Sequence, residues 1–317
     1  MLKGYGIVVV TLGHLGVAFL LEKHIYSYHM FLFFLISGYL FVDRPFVETL
    51  KKKTTSLLIP FMMWNIISSI VGAIIGYQNL KSFIGTLFIL KGDLCFNAPI
   101  WFILILFMTE IIYSYLKEKT NISDELLVLI SIALFLVIGP LKLPMKVNLI
   151  PLAMFSYATG VLLKNSKFLA GGGTSSYIRL VALALISVVF GMFLNSRISY
   201  TAGDFGNGIF CIVAAYAGML FFFFLFKSCF QNCRENVLSF IGKNSFSIMV
   251  MQYYFFMLYN KIGEKVFGIG DIWHLTNSLK AILLTSFTVL LILVSVVTYR
   301  KVTKGTVLEK LGKLFGI

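Results

Sequence analysis

Long apolar runs, repeated along the whole chain, constrain this sequence more than any other feature. A helix needs ~20 residues to cross the hydrocarbon core of a bilayer. Because lipid offers no partners to backbone polar groups, such runs form helices. We predict an all-α bundle of about ten spanning helices and one integral-membrane domain over residues 1–317, with helices near 4–21, 28–42, 55–76, 99–116, 125–140, 147–163, 178–195, 208–226, 238–259 and 279–299.

The charge composition agrees with a membrane protein and orients it. Only 13% of the 317 residues are charged, against about 25% in a typical soluble domain. About two thirds of the 27 Lys and Arg fall on the side of the two termini, and the positive-inside rule then places both termini in the cytoplasm. This excess of Lys and Arg in cytoplasmic segments also explains the net charge of +14. We therefore predict membrane lipids as partners and no binding of nucleic acid.

The N-terminal run and the cysteines carry weaker signals. No small-residue cleavage site follows the first run before Glu22, so we expect a retained first helix. Cys95 stands alone in a loop, and Cys229 and Cys233 flank a short turn without a nearby histidine. We therefore predict neither a disulfide framework nor a metal site.

Lys3 and His14 bound the stretch KGYGIVVVTLGH. Eleven residues at 100° each bring the two side chains to within about 20° on one helix face, ~16 Å apart along the axis. With Lys3 at the cytoplasmic surface, His14 lies near the middle of a ~30 Å hydrocarbon layer. An imidazole at that depth usually faces a cavity or a partner. Without further context, a hydrogen-bonded packing role is the less common alternative for His14, whereas a positive-inside anchor is the more common role for an isolated lysine such as Lys3.

Four later stretches stand in a fixed order: YHMFLFFLISGYLF (28–41), LLIPFMMWN (57–65), NAPIWFILILFMTEI (97–111) and FIGKNSFSIMVMQYYFF (240–256). Together with the Lys-Gly start and the Leu-Gly-His ending of the first run, they resemble the membrane-bound acyltransferase-3 family over essentially the whole chain. The Lys-Gly start is most similar to the branch of sugar O-acetylases related to fucose 4-O-acetylase.

The chain departs from the family pattern at four positions. Lys3 stands where members usually have Arg, which loses a bidentate contact to phosphate. Phe31 replaces a proline after His-Met, and Ser56 replaces an arginine before the Leu-Leu-Ile-Pro motif. Gln252 stands where many members carry a late histidine.

The resemblance implies transfer of an acyl group, usually acetyl, from cytoplasmic acyl-CoA to a hydroxyl of a cell-surface or lipid-linked glycan. Acyl-CoA is then a cosubstrate and not a permanently bound cofactor, and the location is the bacterial cytoplasmic membrane. His14 suits the general base, since desolvation disfavours the imidazolium form. Lys3 would contact the coenzyme phosphates at the cytoplasmic mouth of the site. Lys51 and Lys53 would add positive charge at the same mouth or act as solvated anchors.

The remaining candidate residues each have more than one interpretation. His29, expected near the outer end of the second helix, orients the acceptor, shares proton handling or is an interfacial histidine. Glu110 accepts a hydrogen bond from a histidine, as in a triad, or pairs structurally with Asn65 or another polar group. Trp101 stacks on a sugar or belongs to the aromatic belt. Asn97 and its loop suit carbohydrate, although loop composition explains them equally well.

Three further features are weighed in the same way. Ser37 donates to an oxyanion, or Ser37-Gly38 lets two membrane helices approach closely, which is the commoner role. The loop 197–208, RISYTAGDFGNG, has a composition that also suits carbohydrate. His24 and His274 are predicted to be solvated.

Two other classes of protein compete with an enzyme. In a transporter or exporter of a glycan or an acylated product, Lys3, His14 and Glu110 would form a proton path. In a non-catalytic subunit of the glycan-synthesis machinery, replacing His14 would be silent. The ordered family motifs favour the enzyme.

Overall fold

Helices joined by turns make up the described part of the chain. The computed structural model describes residues 1–77, 85–86, 89, 96–165, 174–230, 233, 236–262 and 278–317. Over these residues the only extended pairing is one isolated antiparallel bridge between Ser199 and Asp204. The all-α prediction is confirmed for this part of the chain, while Cys95 and His274 lie outside it.

The α-helices follow the apolar runs closely. In chain order they are α1 (Leu2–His14), α2 (Phe19–Tyr39), α3 (Phe46–Lys53), α4 (Ile59–Ile74), α5 (Trp101–Lys119), α6 (Asp124–Ile138), α7 (Ile150–Asn165), α8 (Thr174–Val188), α9 (Gly208–Phe230), α10 (Val237–Lys243), α11 (Ser245–Ile262), α12 (Ser278–Thr303) and α13 (Val307–Leu314). The π-helical segments Thr54–Leu58 and Val189–Leu194 follow α3 and α8, and the 3-10 segments Ala98–Ile100 and Pro144–Leu149 precede α5 and α7.

Six helical stretches in the described part are long and apolar enough to cross a membrane: Phe46–Ile74, Ala98–Lys119, Pro144–Asn165, Ser176–Leu194, Gly208–Phe230 and Ser278–Thr303. The helix α1 has only 13 residues, which rise ~20 Å and fall short of a ~30 Å hydrocarbon layer. The membrane class is therefore supported by six spans, and ten spans remain a prediction.

The boundary between the first two helices differs from the prediction. Instead of one helix over 4–21 and a second from 28, α1 ends at His14 and α2 begins at Phe19. Gly16 in the turn has a φ of 69°, a backbone conformation that glycine adopts at little cost. The polar residues from Glu22 onwards are consequently helical, and His29 lies in the middle of α2 instead of at its start.

Two glycines let α2 and α7 approach closely. A β-carbon on Gly38 would lie 1.9 Å from the carbonyl oxygen of Tyr157, and one on Gly160 would lie 2.1 Å from the carbonyl oxygen of Leu35. Contacts this close are possible only without side chains. The packing role predicted for the Ser37-Gly38 pair is thus confirmed for Gly38.

We expect Gly38→Ala to lower the melting temperature of the detergent-solubilised protein. The methyl group would overlap the Tyr157 carbonyl, and such overpacking costs about 1–3 kcal/mol. Gly85→Ala is the matched control, because nothing lies within 4 Å of its β-carbon position. Equal melting temperatures for the two variants would contradict this packing.

Candidate functional site

A cavity of about 810 Å³ lies between the helices, and four of the eight candidate residues line it: Lys3, His14, His29 and Trp101. From α1 it is lined by Lys3, Ile7, Val10 and His14. These four residues lie on one face of the helix, as the eleven-residue spacing predicts. The cavity thus runs alongside α1 from Lys3 to His14.

The two ends of the cavity are built from different parts of the chain. At the Lys3 end, Gly242 of α10 lies beside Gly4 and the Lys3 side chain, and Gly316 lies beside the ring of Phe246 at the start of α11. Lys313, which follows α12 in the sequence, lines the cavity as well. The start of the chain and the segment after α12 therefore meet at one end. The other end is lined by residues of the loop before α9, namely Arg197, Ser199, Tyr200 and Thr201.

His14 is the last residue of α1 and is half-buried. Its Nδ1 lies 3.2 Å from the hydroxyl of Tyr253 and 3.4 Å from the hydroxyl of Tyr26. The Tyr253 ring meets the imidazole edge-on, with 5.2 Å between centroids. The imidazole thus faces the cavity among tyrosine hydroxyls.

His29 lines the same cavity from the middle of α2 and is only 3% exposed. Its Nδ1 lies 2.7 Å from the backbone carbonyl oxygen of Ile25. The Tyr26 ring stands 5.0 Å from the His29 ring and 6.4 Å from the His14 ring, edge-on to both. One tyrosine therefore contacts both imidazoles.

Arg197 lies at the end of the cavity opposite Lys3 and forms an ion pair that links two distant parts of the chain. Its Nε and Nη2 lie 2.8 and 2.7 Å from Oε1 of Glu22, and its guanidinium carbon lies 4.7 Å from the centre of the Tyr26 ring. The sequence reasoning missed Tyr26, Tyr253 and this pair. Only Tyr26 had a local signal, because it precedes His29 by three residues on one helix face.

Trp101 lines the cavity, whereas Asn97 is buried away from it. Trp101 is 5% exposed, lines the cavity and stacks on Tyr200 with 5.8 Å between ring centroids. It therefore does not lie in an exposed aromatic belt. Asn97 is fully buried, and its amide donates to the carbonyl oxygen of Val250 at 2.8 Å and to Ser68 at 3.3 Å. The Asn97 amide therefore connects the start of α5 to α11 and α4.

Glu110 forms an ion pair with Lys53, which corresponds to the structural pair with a polar group that was one of the two expectations for this residue. Its Oε2 lies 2.6 Å from Nζ of Lys53, and the carboxylate is 4% exposed. Among the described residues, the partner of the Glu110 carboxylate is thus a lysine and not a histidine, while the Asn65 amide donates to the carbonyl oxygen of Thr86. Both charges lie near enough to Lys3 to interact with it electrostatically. Lys51, by contrast, is exposed on α3.

The ion pair gives Lys53→Met a predictable cost. Removing one partner leaves the buried Glu110 carboxylate uncompensated, which costs on the order of 3 kcal/mol. We expect a marked fall in melting temperature for Lys53→Met and recovery in the double variant Lys53→Met/Glu110→Gln. If Lys53 acted on the coenzyme alone, both variants would melt like the parent chain.

The positions that depart from the family pattern fall in three environments. Phe31 is fully buried in the core. Ser56 lines the cavity, as does Ser37. Gln252 is fully buried, with its amide 3.3 Å from the carbonyl oxygen of Met249, while the adjacent Tyr253 reaches the cavity. The group that α11 places beside His14 is therefore the phenol of Tyr253.

The comparisons with known proteins bear on the whole chain. A family model described as an acyltransferase domain matches residues 1–300. Neither a curated protein nor a solved structure matches the chain. The family match covers nearly all of the helices that line the cavity. The chain therefore belongs to the acyltransferase-3 family of membrane proteins.

Proposed function

We propose that this protein is an O-acyltransferase that moves an acetyl group from cytoplasmic acyl-CoA to a hydroxyl of a cell-surface or lipid-linked glycan. One observation carries the proposal: a single cavity connects Lys3, at one end, to the two imidazoles of His14 and His29. The family membership supplies the reaction class. We place the protein in the bacterial cytoplasmic membrane, with the Lys3 end of the cavity towards the cytoplasm.

In this proposal the Lys3 end receives the donor. The Lys3 ammonium binds phosphate of the coenzyme as a point charge. The thiol arm then extends along the face shared by Ile7 and Val10, past His29 and towards His14, which lies ~16 Å further along the axis than Lys3. Acyl-CoA binds for each turnover, so no permanently bound cofactor is required.

The chemistry needs a base, because a sugar hydroxyl is a weak nucleophile until its proton is removed. An imidazole accepts the hydroxyl proton while the oxygen attacks the thioester carbonyl carbon. The carbon–sulfur bond then breaks, and the coenzyme thiolate takes the proton back from the imidazolium. His14, the base predicted from the sequence, and His29 both line the cavity where this occurs.

The opposite end of the cavity suits the acceptor. Trp101 and Tyr200 supply aromatic surface, and Ser199 and Thr201 supply hydroxyl groups. Sugars bind to such mixtures of aromatic and hydrogen-bonding groups in concave sites. Arg197, which is held by its ion pair with Glu22, adds a donor of hydrogen bonds.

The proposal is tested in cells by exchanging the native chain for His14→Ala. We expect the surface glycan to lose its acetyl groups, measured by mass spectrometry, while immunoblotting shows a normal protein level. His24→Ala, a second histidine of the same region, is the control and retains acetylation. Unchanged acetylation in the His14→Ala strain would reject the enzyme and favour a subunit of the glycan-synthesis machinery.

One observation also fits a transporter, namely that the cavity is lined by cations at both ends, Lys3 and Lys313 at one and Arg197 at the other. Transport of a glycan would proceed without acyl-CoA. Glycan movement into vesicles that contain the purified chain, measured without any acyl donor, would support this second function.

A further inference from the structure

We propose that His29, and not His14, is the base of the reaction, acting through Nε2 with its tautomer fixed by the Ile25 carbonyl. This inference rests on the proposed acyl transfer and identifies the atom that performs it. In each turnover His29 Nε2 takes the acceptor's proton as the new carbon–oxygen bond forms. The leaving thiolate recovers that proton when the carbon–sulfur bond has broken.

A hydrogen bond from Nδ1 of His29 to the helix backbone fixes the tautomer of this ring. A backbone carbonyl can only accept, so the 2.7 Å contact with the Ile25 oxygen requires the hydrogen on Nδ1. A neutral imidazole has one N–H, and its Nε2 consequently carries a lone pair. The acceptor is the helix backbone itself, four residues earlier in α2, so the ring is held by a rigid element. A base needs this combination of an oriented ring and an available lone pair.

The hydrogen-bond partners of His14, by contrast, do not fix its tautomer. Its Nδ1 contacts are longer, 3.2 and 3.4 Å, and both partners are phenol hydroxyls. A hydroxyl either donates or accepts, so these contacts allow either tautomer. When a hydroxyl donates to Nδ1, His14 Nε2 carries the hydrogen and serves as a donor. We assign His14 the role of a hydrogen-bond donor to the thioester carbonyl oxygen, where negative charge develops.

His29 lies closer than His14 to the Lys3 end of the cavity. Gly13 of α1 packs on Ile25 and Tyr26, whereas Gly6 packs on Phe33. The two helices are therefore antiparallel, and His29 lies between these two contact levels. A donor that enters at Lys3 reaches the level of His29 before that of His14. The Tyr26 ring stands edge-on to both imidazoles, 5.0 Å from His29 and 6.4 Å from His14 between centroids, so both rings border the same part of the cavity.

Chemical rescue tests the assignment with the purified full chain in lipid nanodiscs. The donor is acetyl-CoA, and the acceptor is surface glycan from cells that lack the protein. We expect His29→Ala to lose about 10²–10⁴-fold in rate, the usual contribution of a general base. Added imidazoles should restore part of that rate, increasingly with their basicity. His14→Ala should show no such dependence on basicity, and His24→Ala should keep the parent rate.

The opposite rescue pattern, with base-dependent recovery of His14→Ala and none of His29→Ala, would overturn the assignment. A second measurement is independent of activity. Nitrogen-15 NMR of histidine-labelled protein, with His29→Ala to identify the signals, should show His29 as the Nδ1–H tautomer at neutral pH. An Nε2–H tautomer would also overturn the inference. A parent chain that transfers no acetyl group from acyl-CoA, yet shows the Nδ1–H tautomer, would refute the proposed function and leave the hydrogen-bond geometry intact.

Discussion

Val10→Trp is expected to lower acetyl transfer by about 100-fold or more, the scale of loss that misplacing the reacting groups causes. Val10 lies on the face of α1 between Lys3 and His14 and lines the cavity. An indole at this position would obstruct the path by which the thioester reaches the imidazoles. The measurement is the rate of coenzyme release from acetyl-CoA in the presence of glycan acceptor.

The same substitution at an exposed site is the matched control. Val181 on α8 is 59% exposed, so Val181→Trp should keep the parent rate. Val10→Ala should also remain active, because it leaves the path open. Size-exclusion profiles and melting temperatures establish that the variants are folded. A folded Val10→Trp protein with the parent rate would show that the donor does not travel along this face.

Lys3→Met should raise the KM for acetyl-CoA by about 10–100-fold, the effect of losing one hydrogen bond to a charged group. The kcat should change little, since the phosphate contact is remote from the reacting atoms. Lys3→Arg should retain the low KM, because guanidinium also binds phosphate.

A donor without phosphates separates this role from a structural one. S-acetyl-pantetheine keeps the thioester arm and lacks the nucleotide, so Lys3→Met should leave its kinetics unchanged. If Lys3 only anchors α1, the substitution would impair both donors equally. Comparing the two donors in the two Lys3 variants thus locates the contact on the coenzyme phosphate.

Apolar periodicity predicted the long helices well. The run 279–299 corresponds to Ser278–Thr303, and the run 208–226 corresponds to Gly208–Phe230. It failed between the first two helices, because the turn around Gly16 is built from apolar residues and interrupts no apolar run. Composition measures the preference of side chains for lipid, whereas this turn depends on a backbone angle.

The candidate site was predictable where one helix places its residues. The spacing of Lys3 and His14 on α1 predicted a shared face, and both line the cavity. Partners from distant segments were not predictable in this way. Arg197 and Glu22 are 175 residues apart in the sequence, and no local pattern records their contact. Glu110 was likewise recognised as a buried charge in need of a partner, but Lys53 was expected elsewhere, at the coenzyme.

The central claim is that the acyl donor occupies the cavity between Lys3 and the two histidines. Photolabelling tests it most directly, without knowledge of the acceptor. The purified chain is irradiated with an acyl-CoA analogue that carries a diazirine on its acyl group, and the adducts are located by mass spectrometry. We expect adducts on cavity-lining residues near the imidazoles, such as Met30 and Met249. These adducts should disappear when excess acetyl-CoA is present. Adducts confined to lipid-facing helices, or unaffected by acetyl-CoA, would contradict it.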